Sequence, residues 1–172
     1  NWMFSVGDTI IYGVEGVCRV EEVGRLNVAG LDKNREYYRL TSYYHGGTIY
    51  TPVDGKAVMR PVIARQTLEE LLPRLPELAL LEDIPTDNRQ AGEYYRTILA
   101  KHNCELLLRL CKSLYQKQQT LVAHRKNISA TELRNWKMAE EMLYGEFGYV
   151  LGIRPAEVKT YLRQRLGGSE SN

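Results

Sequence analysis

Two periodicities divide the chain. Between Thr9 and Met59 the apolar positions come in short runs rich in β-branched residues and tyrosine, which predicts strands at Thr9–Tyr12, Val17–Val23, Glu36–Thr41, Thr48–Pro52 and Ala57–Met59. Glycine or polar breaks separate these runs at Gly13/Gly16, Gly30–Asn34, His45-Gly46-Gly47 and Asp54-Gly55. Gly46-Gly47 supplies the positive φ that a hairpin turn needs. Five strands joined by tight turns predict a small SH3- or Tudor-like five-stranded β-barrel. A core of this size is marginal by itself.

From residue 87 onward the period becomes helical. A helix is expected around 88–102, and Leu107, Leu110, Leu114 and Leu121 mark the stripe of a second. Ser129 and Glu132 have capping-box spacing at the start of a long third helix, whose stripe runs through Leu133, Trp136, Leu143, Phe147 and Val150 to Gly152. Pro155 suits the first turn of a fourth, with Val158 and Leu162 inward and Gly167-Gly168 past its end. Between the two halves lie Pro61, Pro73, Pro76 and Pro85 and a short helix at Thr67–Leu72 that Thr67 and Glu70 would cap; the prolines stop it and impose a stiff connection. The expected fold class is therefore α+β, with a barrel domain at 1–62, a proline-rich linker with a short helix at 63–86, and an all-α domain of about four helices at 87–172.

Charge changes the picture of the second half. The formal net charge is only +2, yet residues 1–60 are neutral, residues 61–84 carry −3 and residues 85–172 carry +5. Within 89–137 ten basic residues face three acidic ones, which favours an anionic partner. Cys18, Cys104 and Cys111 cannot all pair, so a reducing, cytoplasmic setting is expected. No run of some 20 apolar residues suggests a membrane span.

The sequence contains no phosphate loop, dinucleotide fingerprint or nucleophile elbow. His102, Cys104 and Cys111 do not share one helix face, and no fourth ligand is evident, so neither a metal nor any other cofactor is expected. Glu21-Glu22 and Glu140-Glu141 are sequence neighbours rather than acids opposed across a cleft. An enzyme is the least expected class. Tyr12, Tyr37, Tyr38, Tyr43, Tyr44 and Tyr50 all lie in the barrel half. They read either as ordinary strand residues, as an aromatic cage for a cation, or as an exposed protein-binding face. Trp136 reads as core rather than as an intercalating ring.

Several segments, in order, resemble the CarD/CdnL family of bacterial transcription regulators. They are Phe4–Tyr12, the glycine-containing bend to Val20, Glu36–Leu40, Ile49–Val53 and Thr67–Leu72, then Ile128–Glu132, Ala139–Leu143 and Gly145-Glu146. The resemblance implies a non-enzymatic regulator whose Tudor-like domain docks on the RNA polymerase β subunit through an exposed strand. It also implies a helical domain that lies on promoter DNA and tunes open-complex stability. Carried onto this chain, the polymerase-binding residues are expected at Arg25, Tyr43, Tyr44, Thr48 and Tyr50. The DNA-binding residues are expected at Arg89, Tyr94, Tyr95, Arg96 and Lys101. Some members place a tryptophan before the run equivalent to Glu93-Tyr94-Tyr95-Arg96 and wedge it into the minor groove, but Ala91-Gly92 stands here. DNA contact is therefore expected to be mostly to phosphates, with Tyr94 or Tyr95 as a weaker ring. A protein that is monomeric when free and touches no membrane is expected. The alternative is a protein–protein adaptor of the transcription or repair machinery that does not bind DNA.

Overall fold

The computed structural model describes residues 3–165, which fall into two compact units, one ending at Val62 and the other beginning at Ile63. Gly167-Gly168, expected just past the last helix, lie outside the described residues.

The first unit is one antiparallel sheet. Its strands are β1 (Thr9–Tyr12), β2 (Gly16–Gly24), β3 (Tyr37–Ser42), β4 (Thr48–Pro52) and β5 (Met59–Pro61), in the order β4-β3-β2-β1-β5. Entry into β1 is set by a tight turn. The Asp8 carboxylate accepts the Ser5 N–H at 2.8 Å, and Gly7, at φ +96°, donates its N–H to the Val20 carbonyl at 2.8 Å. A register shift between Val20 and Glu22 marks a bulge where β2 bends along β3. Phe4, Ile10, Cys18, Val20, Tyr38 and Leu40 form the core of this unit. Tyr38 is both apolar filling and anchor, since its hydroxyl accepts the Phe4 N–H at 3.2 Å while the two rings stand 5.8 Å apart.

The expected barrel does not close. β4 and β5 are the two edges of the sheet and do not pair. β5 is only three residues long and ends in Pro61, and β4 ends in Pro52, so each terminates at a residue with no N–H to extend a ladder. Alternation along a strand reports which face is buried. It says nothing about whether the outermost strands meet.

The second unit has five α-helices rather than about four: α1 (Arg65–Leu71), α2 (Asn88–Ala100), α3 (Cys104–Ala123), α4 (Ala130–Leu151) and α5 (Pro155–Arg165). α1 begins two residues before Thr67 and has no side-chain cap, so the Thr67–Glu70 capping box is not formed. It continues as a tighter 3₁₀ turn through Leu72–Glu77. Leu68, Leu71, Leu72, Leu78 and Leu81 join the same core as α2–α5. The proline-rich stretch is also tied down by polar contacts from α3. Lys112 Nζ donates to the carbonyls of Leu75, Pro76 and Leu78 at 3.1, 2.8 and 2.8 Å. Arg109 donates to those of Ala79 and Leu80, and Ser113 Oγ accepts the Leu81 N–H at 2.7 Å. Two cations of α3 thus give charged donors to the backbone carbonyls of this stretch.

In α4 the Ser129 hydroxyl accepts the Glu132 N–H, as the spacing predicts. Leu133, expected in the core stripe, is exposed. The buried face runs through Glu132, Ala139, Leu143 and Phe147, one residue away from Leu133 and therefore about 100° around the helix. Glu132 takes the inward place because its carboxylate accepts the Tyr95 hydroxyl at 2.6 Å and the Lys117 ammonium at 2.8 Å. One carboxylate thereby joins α2, α3 and α4. Gly152 closes the helix at φ +72°.

Candidate functional site

The open edge of β4 is the most informative surface of the first unit. β3–β4 registers run from Tyr37↔Pro52 to Thr41↔Thr48. Val53 donates to the Glu36 carbonyl at 3.0 Å just beyond one end, and Ser42 to the Gly47 carbonyl at 2.9 Å beyond the other. Bonded and non-bonded pairs alternate in an antiparallel ladder, so Tyr38↔Thr51 and Leu40↔Ile49 are the bonded pairs between them. The N–H and C=O groups of Thr48 and Tyr50 consequently face away from β3, toward the free edge. Pro52 offers a carbonyl there but no donor, which ends the edge.

The side chains beside this edge are aromatic. Tyr50 is 36% exposed, and the turn after β3 presents Tyr43 (58% exposed) and Tyr44 (39%) with their rings edge-to-face at 4.9 Å. The turn is built by Ser42, whose carbonyl accepts the Gly46 N–H at 2.8 Å and whose hydroxyl accepts that of His45 at 3.3 Å; Gly46 sits at φ +74°. Tyr43 also donates its N–H to the Val17 carbonyl at 2.9 Å, which fixes the turn against β2. In register across the sheet from Tyr50 stand Arg39 and Glu22, whose side chains pair at 2.9 Å. The hydrogen bond that Arg39 donates to the Glu22 carboxylate favours the charged form of its guanidinium. Thr48, Tyr50, Tyr43 and Tyr44 are thus brought together. Arg25 is not among them. It follows Gly24, which pairs with Tyr37 at the other end of β3, five residues or about 16 Å from Ser42.

In the second unit α2 carries the other predicted residues. Asp87 caps it by accepting the Gln90 N–H at 3.0 Å. Arg89, Glu93 and Arg96 follow at helical spacing on the exposed face, and exposed Lys101 caps the end. Arg89 stands 4.0 Å from Glu93. Tyr95 is wholly buried, its hydroxyl on Glu132, and is not available to a nucleic acid. Burial, then Glu132, push its phenol well above the ordinary range. Tyr94 is half-buried, with its hydroxyl on the Glu82 carbonyl at 3.1 Å. Of the candidate rings only an edge of Tyr94 reaches the surface. Three basic residues of the charge-rich segment, Arg109, Lys112 and Lys117, are spent on internal contacts. Among the described residues, Arg96, Lys101, Arg125, Lys126, Arg134 and Lys137 have no carboxylate partner. Arg125 and Lys126, two of the ten basic residues that mark residues 89–137 in the sequence, lie exposed in the turn between α3 and α4.

Among the described residues no three His, Cys, Asp or Glu side chains are grouped to hold a metal ion. Cys104 instead donates to buried Glu146 at 3.3 Å, and that carboxylate also accepts the Ile63 N–H at 2.7 Å. No helix among the described residues is long and apolar enough to cross a membrane.

No curated protein sequence matches the chain. A family model does, over residues 4–63, the span that contains the whole sheet, the open β4 edge and its tyrosines. That family comprises interaction domains of transcription-related, RNA polymerase-interacting proteins rather than catalytic ones. Residues 4–63 are thus a CarD-like/TRCF RID domain, the part of the chain by which it is similar to the CarD-like proteins.

Proposed function

We propose that the protein is a non-enzymatic transcription regulator with a division of labour between its units. The first unit binds the β subunit of RNA polymerase by accepting one of its strands along the β4 edge, between the Tyr50 side chain and the Tyr43–Tyr44 turn. The observation that carries this reading is the outward-facing backbone of Thr48 and Tyr50 in a domain of this family. Strand addition takes its affinity from main-chain hydrogen bonds, and aromatic side chains at the rim add contact area.

The helical unit contacts promoter DNA through Arg89, Arg96 and Lys101, mostly at phosphates, and modulates open-complex stability. Arg89 and Arg96 are two helical turns apart, about 10 Å, a spacing that lets both reach one strand's backbone. Support comes from the exposure of this row and from the absence, among the described residues, of acidic partners for Arg96 and Lys101. The test is a pair of measurements on the full chain: capture of RNA polymerase, then the rate of open-complex collapse on a promoter. Slower or faster collapse with the wild type, and none with the Arg96→Glu/Lys101→Glu variant that still captures polymerase, is the expected result. Capture with no effect of either protein on collapse would leave the adaptor reading standing instead.

A further inference from the structure

The helical unit contains a cavity of about 420 Å³ that neither proposed contact uses. α3, α4 and α5 form three of its walls, and the Leu75–Leu78 stretch forms the fourth. Its interior is apolar and aromatic, with Leu108, Tyr115, Trp136 and Leu162 the main surfaces. The fourth wall is pinned rather than loose, because Lys112 donates to three of its carbonyls from α3. Size, lining and rigidity match small-molecule sites, which are mostly apolar with a few convergent polar groups.

Two features state what kind of molecule fits. The Trp136 Nε1 donor is buried and has no hydrogen-bond partner among the described residues, a rare and costly condition that an arriving acceptor relieves. At the rim Lys159 and Arg163 stand one turn apart on α5, and Glu140, which takes the Tyr144 hydroxyl at 3.4 Å, lines the same cavity from α4. Both cations act on the cavity: Lys159 favours ionisation of the Cys111 thiol and Arg163 that of Tyr144, each against a larger opposing effect of burial.

We propose that this cavity binds a small amphipathic organic anion. Its apolar body lies against Leu108, Tyr115, Trp136 and Leu162, an acceptor meets the Trp136 N–H, and its acid group faces Lys159 and Arg163. The inference stands apart from the polymerase and DNA reading, since it uses other residues and a different ligand.

The test uses the full chain carrying Trp2→Phe, so that one indole N–H signal remains in a proton–nitrogen NMR spectrum. Naphthalene-2-sulfonate is titrated as the probe, with neutral 2-naphthol as its match. The expected result is a saturable downfield shift of the Trp136 signal with a Kd on the order of 0.1–1 mM, as befits a fragment-sized ligand. Affinity is expected to fall about fivefold or more for 2-naphthol, and likewise for the Lys159→Glu/Arg163→Glu variant. No saturable shift below about 10 mM overturns the site. Equal affinity for the sulfonate and the naphthol overturns the anion preference, and that comparison on the unaltered cavity decides even if the charge-reversed variant fails to fold.

Discussion

Thr48→Pro isolates the β4 edge from everything around it. The Thr48 N–H faces the free edge and takes no part in the β3–β4 ladder, so proline removes nothing from the folded unit. Its fixed φ is compatible with an edge strand, and Gly47 before it tolerates the restricted ψ. Stability to urea should therefore change by less than about 1 kcal/mol. Binding is another matter. The substitution deletes one cross-strand donor and places a ring where the incoming strand must lie, which forfeits about two hydrogen bonds. At about 0.5–1.5 kcal/mol net for each, the loss is about 1–3 kcal/mol, or roughly 5- to 150-fold in Kd. Ile49→Pro is the complementary control: it breaks the bonded pair with Leu40 and should cost stability outright. The assay is biolayer interferometry of the full chain on immobilised RNA polymerase, with Thr48→Val as the variant that keeps the N–H. If Thr48→Pro binds within twofold of Thr48→Val, strand addition is wrong and the tyrosine side chains alone must make the contact.

Three further outcomes test the packing that presents these surfaces. Tyr95→Phe withdraws a 2.6 Å bond from the buried Glu132 carboxylate and should lower the urea stability of the helical unit by about 1.5–3 kcal/mol. Gly148→Ala should cost about 1–3 kcal/mol by the same measurement, because its Cβ would sit 2.9 Å from the Ile153 carbonyl oxygen and 3.2 Å from the Pro155 nitrogen. Burial, helped by Glu15, pushes the Cys18 thiol up to about 11 from an ordinary value of 9.0. Its neutral form is thus favoured in the fold. That contribution is intact below pH 9 and is lost as pH rises toward 11, because the unfolded chain releases its proton first. Cys18→Ala should flatten this part of the stability–pH curve.

The chain displayed most of its elements openly, because burial of one face imposes a period. β1 and β4 occupy the residues that alternation and turn chemistry predict, α2 begins at Asn88 where a helix around 88–102 is expected, and α5 begins at Pro155. What stayed hidden depends on neighbours that no period encodes. Tyr95 looks like a surface ring beside Arg96, yet it is buried because a carboxylate 37 residues later turns inward to receive it. The same inward turn of Glu132 displaces Leu133, so a polar residue and an apolar one exchange their expected places. The proline-rich stretch reads as a connection because its prolines stop the short helix, yet Arg109 and Lys112 of α3, distant in sequence, bind its carbonyls and tie it to the helical core. Of the candidate site, the tyrosine turn was legible from the Gly46-Gly47 break. The outward backbone of Thr48 and Tyr50 was not, since it depends on which pairs of the ladder are bonded.

The small number of free cations on α2 constrains how the proposed DNA contact can act. Three phosphate contacts give a salt slope no steeper than about −2.7 in log K against log salt, and affinities at the weak end of about 10⁻⁴ M at physiological salt. A separate helical unit at micromolar concentration would scarcely occupy DNA. Joined to a unit already bound to polymerase, it sees an effective concentration on the order of millimolar, and the same contact becomes about 90% occupied. Occupancy still shifts no equilibrium by itself. A contact equally good on closed and open promoter changes neither population, so regulation requires that Arg89, Arg96 and Lys101 meet phosphates better in one state than in the other. It follows that supplying the two units as separate chains should abolish the effect on open-complex lifetime even while the first still binds polymerase. An undiminished effect from the separated units would mean that polymerase binding alone alters melting, and that the basic face of α2 has no part in it.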